Sequence, residues 1–356
     1  MNGNLLRLMK SLPEGVDAAL IESPVNRRYY TGFPSSAGVL VVFRDEAYFI
    51  IDFRYIEAAK TAVKGCTVIL QGKRNEQIKE LFDKHGAKCV AVEATRTTVA
   101  ALDEYKRFFE SVEFVSDGSL DKMINAQRAV KSREEYETMC AAANIADKAF
   151  EQICKFIRPG ITEREISTEL CYYMSKLGGE GESFDTIVVS GPNSSKPHGV
   201  PGERKIAAGD FITIDFGTVV NGYVSDMTRT VAVGHVTEEM KKVYDTVLLA
   251  QKAAFDVIKP GILCKDVGAA ARKVIADAGY GRYFGHSLGH SLGLEVHEGP
   301  NFSPVETATA KEGLLLSVEP GIYIEGKFGV RIEDTVWITS DGFENLAHSP
   351  KELIIL

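Results

Sequence analysis

The spacing of apolar positions along the chain predicts a short amphipathic helix over 1–13, where Asn4, Arg7 and Lys10 interrupt the leucines. Strand-length, β-rich runs follow at 16–21, 39–43, 48–51 and 90–92, alternating with helical patterns near 73–85 and 99–110. That alternation predicts an α/β domain over residues 1–125. A charged segment at 128–137 then opens a long helical pattern running through Phe156 and stopping at Arg158-Pro159-Gly160. A second domain over 126–356 is expected.

The second region repeats itself. Phe156-Ile157-Arg158-Pro159-Gly160-Ile161 recurs as Val257-Ile258-Lys259-Pro260-Gly261-Ile262, and each copy leads into a helical stretch ending in glycine. Further on, the stretch from Gly209 to Gly217, which carries Asp215, recurs from Gly313 to Gly321, which carries Glu319. Ser225-Asp226-Met227-Thr228 recurs as Ile332-Glu333-Asp334-Thr335. Three correspondences in one order, with a slowly growing offset, imply a duplicated α/β unit in which each half offers two carboxylates at matching places.

Side chains alternate faces along a strand, so Ile212, Ile214 and Phe216 share one face while Thr213 and Asp215 share the other. In the second copy Leu314, Leu316 and Val318 form the apolar face, and Ser317 and Glu319 point away from it. A single such strand is satisfied by turning its acid to water. Two related strands bring four acids toward a pseudo-twofold axis, and a buried cluster of that kind needs cations, because an unpaired buried carboxylate costs several kcal/mol.

Composition narrows the class. The chain has 356 residues, 45% hydrophobic and 25% charged, close to soluble globular averages. The net charge of −8, with no Lys/Arg stripe, argues against nucleic acid as a partner. No apolar run approaches a bilayer span and the N-terminus lacks a signal-peptide core, so a cytoplasmic protein without membrane association is expected. Six scattered cysteines without a C-x-x-C pair fit buried thiols in a reducing compartment.

Candidate chemistry outside the acids is confined to histidines. His286 and His290 lie in a run rich in glycine, followed by His297, and His198 sits in another Gly/Pro-rich turn. The spacing lacks the glutamate of an H-E-x-x-H helix, and incidental histidines in a loop would look the same. There is no P-loop, no G-x-G-x-x-G after a strand and no G-x-S-x-G elbow, and no cysteine has a neighbour that marks it as a nucleophile.

The set Ile214-Asp215-Phe216-Gly217, Ser225-Asp226-Met227-Thr228, Gly289-His290-Ser291-Leu292-Gly293, His297-Glu298, Val318-Glu319-Pro320-Gly321 and Val330-Arg331-Ile332-Glu333-Asp334 closely resembles the pita-bread metallopeptidases. Asn26-Arg27-Arg28-Tyr29-Tyr30-Thr31-Gly32 and Asp52-Phe53-Arg54-Tyr55 resemble the N-terminal domain of the Xaa-Pro peptidase and creatinase branch. The resemblance implies a creatinase-like α/β domain followed by a pseudo-twofold pita-bread catalytic domain. It implies two divalent metal ions held by Asp215, Asp226, His290, Glu319 and Glu333, with Asp226 and Glu333 bridging. A metal-bridging hydroxide would attack the carbonyl before proline, with Glu319 shuttling the proton. His198 and His297 would stabilise the tetrahedral intermediate, and Arg331 and His286 would support the substrate site. An oxygen-rich set with one imidazole favours Mn²⁺, with Co²⁺, Zn²⁺ or Fe²⁺ as alternatives. Homodimerisation is expected from the family.

Prolidases in this family often carry an arginine just after the H-E-x-P segment, where it clamps a dipeptide's carboxylate; here the position is Asn301. The reading therefore leans to an Xaa-Pro aminopeptidase acting on proline-containing peptides, with an Xaa-Pro dipeptidase as the alternative and a non-catalytic peptide-binding relative as a third.

Overall fold

A computed structural model describes residues 3–356, and the chain divides into two compact units between Arg128 and Ala129. The first unit is a six-stranded sheet in the order 67–70, 47–51, 39–43, 18–21, 89–92, 113–115. Strand Ala18–Ile21 pairs antiparallel with Val39–Phe43 on one side and parallel with Cys89–Val92 on the other. Val39, Val41 and Phe43, alternating positions of strand Val39–Phe43, pack with Ile78 and Phe82 of helix Arg74–His85 and with Tyr105 of helix Val99–Phe108. Helix Gly3–Ser11 buries Leu5, Leu8 and Met9, the stripe left by its polar interruptions.

The second unit begins differently from the sequence expectation. Segment 128–137 does not open the long helix as one piece: helix Ser119–Ala129 ends first, and helix Arg133–Phe156 starts afresh. The break has two causes. Val130 bridges to Leu314, far along the chain, and Ser132 and Glu135 form a reciprocal capping box that fixes the new N-terminus.

From there the duplication is visible in the backbone. Helices Arg133–Phe156 and Glu163–Lys176 back a three-stranded sheet of 187–190, 211–216 and 227–232. Helices Glu238–Phe255 and Cys264–Asp277 back the sheet that contains 290–291, 315–318 and 334–338. Gly160 N–H donates to Ile206 O at 2.9 Å, and its counterpart Gly261 N–H donates to Ala310 O at 2.8 Å. Both glycines turn the chain at positive φ, 95° and 87°, where a side chain would be strained. The faces follow the predicted alternation. Ile212, Ile214 and Phe216 pack on Phe150, Ile153 and Leu170, while Leu314, Leu316 and Val318 pack on Val247, Ala250 and Ala271. With its apolar face committed to a helix layer, each strand sends its acid to the opposite side. This is the mixed α/β, pita-bread architecture expected.

Candidate metal centre

The four acids leave the sheets where strands begin or end. Asp215 sits near the end of strand Phe211–Phe216, in register with Thr228 of the neighbouring strand. Asp226 immediately precedes strand Met227–Ala232, Glu319 follows Leu315–Val318, and Glu333 lies between Phe328–Arg331 and Asp334–Ile338. His290 opens the short strand His290–Ser291. That strand approaches closely because residue 289 is glycine: a Cβ there would lie 1.9 Å from the Ser317 carbonyl oxygen. The approach lets His290 N–H donate to Ser317 Oγ at 3.1 Å.

These side chains converge. Single ligand atoms of Asp226, His290 and Glu333 all lie within 4.8 Å of one another. His290 Nε2 is 3.5 Å from Glu319 Oε1 and 3.7 Å from Asp226 Oδ2. Asp215, Asp226 and Glu333 are buried, and Glu319 and His290 are half-buried at the floor of a cleft of about 480 Å³. Its walls include His198, His297, Phe184, Val200 and Val296. His198 and His297 are exposed, and the rings of His290 and His297 meet edge to face at 4.4 Å.

The electrostatics call for positive charge. Burial, then the charges of Asp215 and Glu319, raise Asp226 well above the ordinary carboxylate range. Burial, then Asp226 and Glu319, do the same to Glu333. Burial raises Glu319 to about 8 despite nearby Arg331. Burial and then the His297 charge lower His290 to about 4, leaving it a neutral imidazole suited to metal ligation. Asp215 Oδ1 is buried with no hydrogen-bond partner, although Oδ2 accepts from Arg331 Nη2 at 2.5 Å. An orphaned carboxylate oxygen beside three crowded acids and one imidazole fits divalent cations, which would favour the ionised forms of Asp226, Glu319 and Glu333.

Arg331 and His286, expected at the substrate, are not among the cleft-lining residues. They stand behind it, joined by Tyr323, which the sequence reading missed: its hydroxyl accepts from Arg331 Nη1 at 2.9 Å and lies 3.0 Å from His286 Nε2. Burial and then Arg331 lower His286 to about 4, so this imidazole is neutral. Its Nδ1 then donates to Ser287 O, 2.8 Å away, and Nε2 accepts from Tyr323. Gln251 was also missed. Its buried side-chain nitrogen donates to the carbonyls of Val318 and Ile332, the residues just before Glu319 and Glu333, at 3.0 and 3.3 Å. Nothing in the local sequence around a helical glutamine signals that role. Fully buried Glu163 accepts from Ser190 N–H at 2.7 Å and Gly202 N–H at 3.1 Å, tying both ends of the segment that carries His198.

Comparison with known proteins places these features in a family. Residues 137–340 match the model of metallopeptidase family M24, and residues 4–130 match that of the creatinase/prolidase N-terminal domain. The chain is 37% identical to an Xaa-Pro dipeptidase of Pyrococcus furiosus, over 99% of this chain and 100% of that one. It resembles the solved structure of an Xaa-Pro dipeptidase from Bacillus anthracis, with TM-score 0.94, 40% identity and 99% coverage of both chains. An X-Pro aminopeptidase structure from Thermotoga maritima is also similar, with TM-score 0.91, 36% identity and coverage of 96% and 98%.

Proposed function

The chain belongs to metallopeptidase family M24, and we propose that it is an Xaa-Pro dipeptidase. The observation that carries the reading is the cage itself: four carboxylates from two repeated halves and one neutral imidazole at the floor of a cleft. The dipeptidase names of two relatives with near-complete coverage support this substrate over the aminopeptidase favoured from Asn301. Asn301 is not among the cleft-lining residues, which weakens the inference drawn from it. The aminopeptidase reading keeps one support, the absence of any arginine or lysine among the described lining residues.

In this proposal Asp226 and Glu333 would each bind two cations, Asp215 would serve one, and His290 with Glu319 the other. Divalent cations there supply Lewis acidity and make a water acidic enough to act as nucleophile near neutral pH. Glu319 takes up and returns a proton at its Oε atoms. His198 and His297 face the cleft from opposite segments and donate hydrogen bonds to the oxygen on which negative charge develops. Arg331 holds Asp215 in place from behind. Phe184, Val200 and Val296 offer the prolyl ring an apolar wall. Proline leaves the scissile bond without an N–H, so an enzyme that acts there must orient its substrate by other groups.

Oxygen-weighted ligation with one imidazole favours Mn²⁺ as the metal. No helix among the described residues is long and apolar enough to cross a membrane. The proposal extends to a homodimer in the cytoplasm. The deciding experiment compares hydrolysis of Xaa-Pro dipeptides with Xaa-Pro-Xaa tripeptides by protein of measured metal content, alongside its mass in solution. Preference for the dipeptide supports the proposal, preference for the tripeptide favours the aminopeptidase, and inertness of metal-loaded protein to both refutes the enzyme assignment.

A further inference from the structure

His297 reaches the cleft from a tight turn, and that turn is anchored by charge. Lys131 Nζ lies 3.0 Å from Glu298 Oε2, with side-chain exposures of 1% and 7%. The other oxygen, Glu298 Oε1, accepts the backbone N–H groups of Leu294 and Glu295 at 3.0 and 3.2 Å. Gly293 N–H closes the turn on Glu295 O at 3.0 Å. Lys131 is itself fixed, its N–H donating to Gly313 O at 2.8 Å and its Nζ to Ala129 O at 3.3 Å. A Cβ on Gly293 would lie 2.9 Å from Lys131 Cε and 3.0 Å from both Glu298 oxygens, so the turn presses its backbone against the ion pair.

We propose that the buried Lys131–Glu298 pair is a positioning device for His297, a role that rests on the reading of His297 as a cleft-wall donor. The imidazole of His297 is exposed and meets the His290 ring on one side, so the backbone beneath it must supply the rest of its placement. An apolar pair of similar volume would fill the same core and often holds a fold as well as buried charges do. It would leave the Leu294 and Glu295 N–H groups without an acceptor and the turn without an anchor. What the charges add is orientation: one carboxylate spans from a fixed lysine to the turn whose exit delivers Val296 and His297 to the cleft. Glu298 is not among the residues that line the cleft. It acts through its neighbour.

Glu298→Gln keeps the shape and loses the charge, and Lys131→Met removes the other partner. In full-length, metal-loaded protein each is expected to lower kcat on an Xaa-Pro dipeptide by about a hundredfold, the size of loss that small misplacements produce. KM and metal content should stay near wild type. In a His297→Ala background Glu298→Gln should cost less than about a further twofold, because the residue through which it acts is gone. Independently of activity, the His297 imidazole signal in a long-range ¹H–¹⁵N spectrum of Zn²⁺-loaded protein, assigned by its loss in His297→Ala, should shift or broaden in both variants while those of His85 and His235 hold. Full additivity with His297→Ala, or an unmoved His297 signal, overturns the proposal. A wild-type protein inert to Xaa-Pro peptides whose His297 signal still responds would refute the proposed function and leave the positioning role standing.

Discussion

Thr228 and Thr335 occupy matching places in the two halves, two residues after Asp226 and Glu333, and each reaches across to the other half. Thr228 Oγ1 donates to Glu333 Oε2 at 2.7 Å, and Thr335 Oγ1 donates to the Asp226 carbonyl at 3.0 Å. The symmetry is imperfect: one hydroxyl orients a carboxylate of the proposed metal cage, the other only the backbone that bears one.

Thr228→Val should therefore weaken divalent metal binding by about 10- to 100-fold, as loss of a ligand's supporting partner does. Thr335→Val should act chiefly on stability, by about 1–3 kcal/mol for an unsatisfied buried carbonyl. Titration calorimetry of metal binding and denaturant unfolding separate the two, and the reverse ranking would refute this division.

Asp226→Asn and Glu333→Gln should each reduce kcat by about three orders of magnitude, comparable to removing a principal electrostatic stabiliser, and leave the circular dichroism spectrum unchanged. Metal per chain, measured by elemental analysis, should drop in both. Full activity in either variant would refute its bridging role.

Gln251→Leu should destabilise the protein by about 1–3 kcal/mol for each of the Val318 and Ile332 carbonyls it leaves without this donor. Metal affinity should fall too, since those carbonyls precede Glu319 and Glu333. Urea unfolding with and without metal provides the check. Unchanged stability and affinity would show that the amide is incidental.

Without metal, stability should fall as pH rises. Glu319 is raised to about 8, and Asp226 and Glu333 are raised in the same direction, so the fold favours their protonated forms. The contribution of Glu319 is complete below the ordinary carboxylate range and is lost as pH climbs through about 8, and those of Asp226 and Glu333 are lost in the same direction, with rising pH. His286 and His290, lowered to about 4, contribute above about 6.5, the usual histidine value, and lose that contribution only as pH falls toward 4. Between pH 6.5 and 9 the carboxylates decide the slope. In chelator the melting temperature should decline by several degrees across this window, and saturating Mn²⁺ should abolish the decline. A flat or rising profile in chelator would refute it.

Much of this was legible in the sequence because duplication wrote it twice. Asp215 and Glu319 stand at matching strand positions, Asp226 and Glu333 follow at a matching interval, and His290 announces itself only through the glycines around it. The apolar faces of Ile212–Phe216 and Leu314–Val318 were likewise given by strand alternation. What stayed hidden depends on contacts between distant segments. The long helix begins at Arg133 because Val130 bridges to Leu314, and periodicity carries no trace of that bridge. The capping signal Ser132-Arg133-Glu134-Glu135 was present but was absorbed into a charged run. Tyr323 and Gln251 act through single hydrogen bonds to residues far away in the chain, and their types are common in any core.

The crossing of Thr228 and Thr335 also makes each half depend on a residue of the other, and the two halves are synthesised one after the other. The first half emerges from the ribosome with Asp215 and Asp226 but without Glu319, Glu333 or His290, so it offers two acids and no cage. The contacts that close the site span long stretches of chain, the kind that is slow to form. The ligand set proposed for the metals is complete only once the second half has been made, and a chain stalled before it offers Asp215 and Asp226 alone.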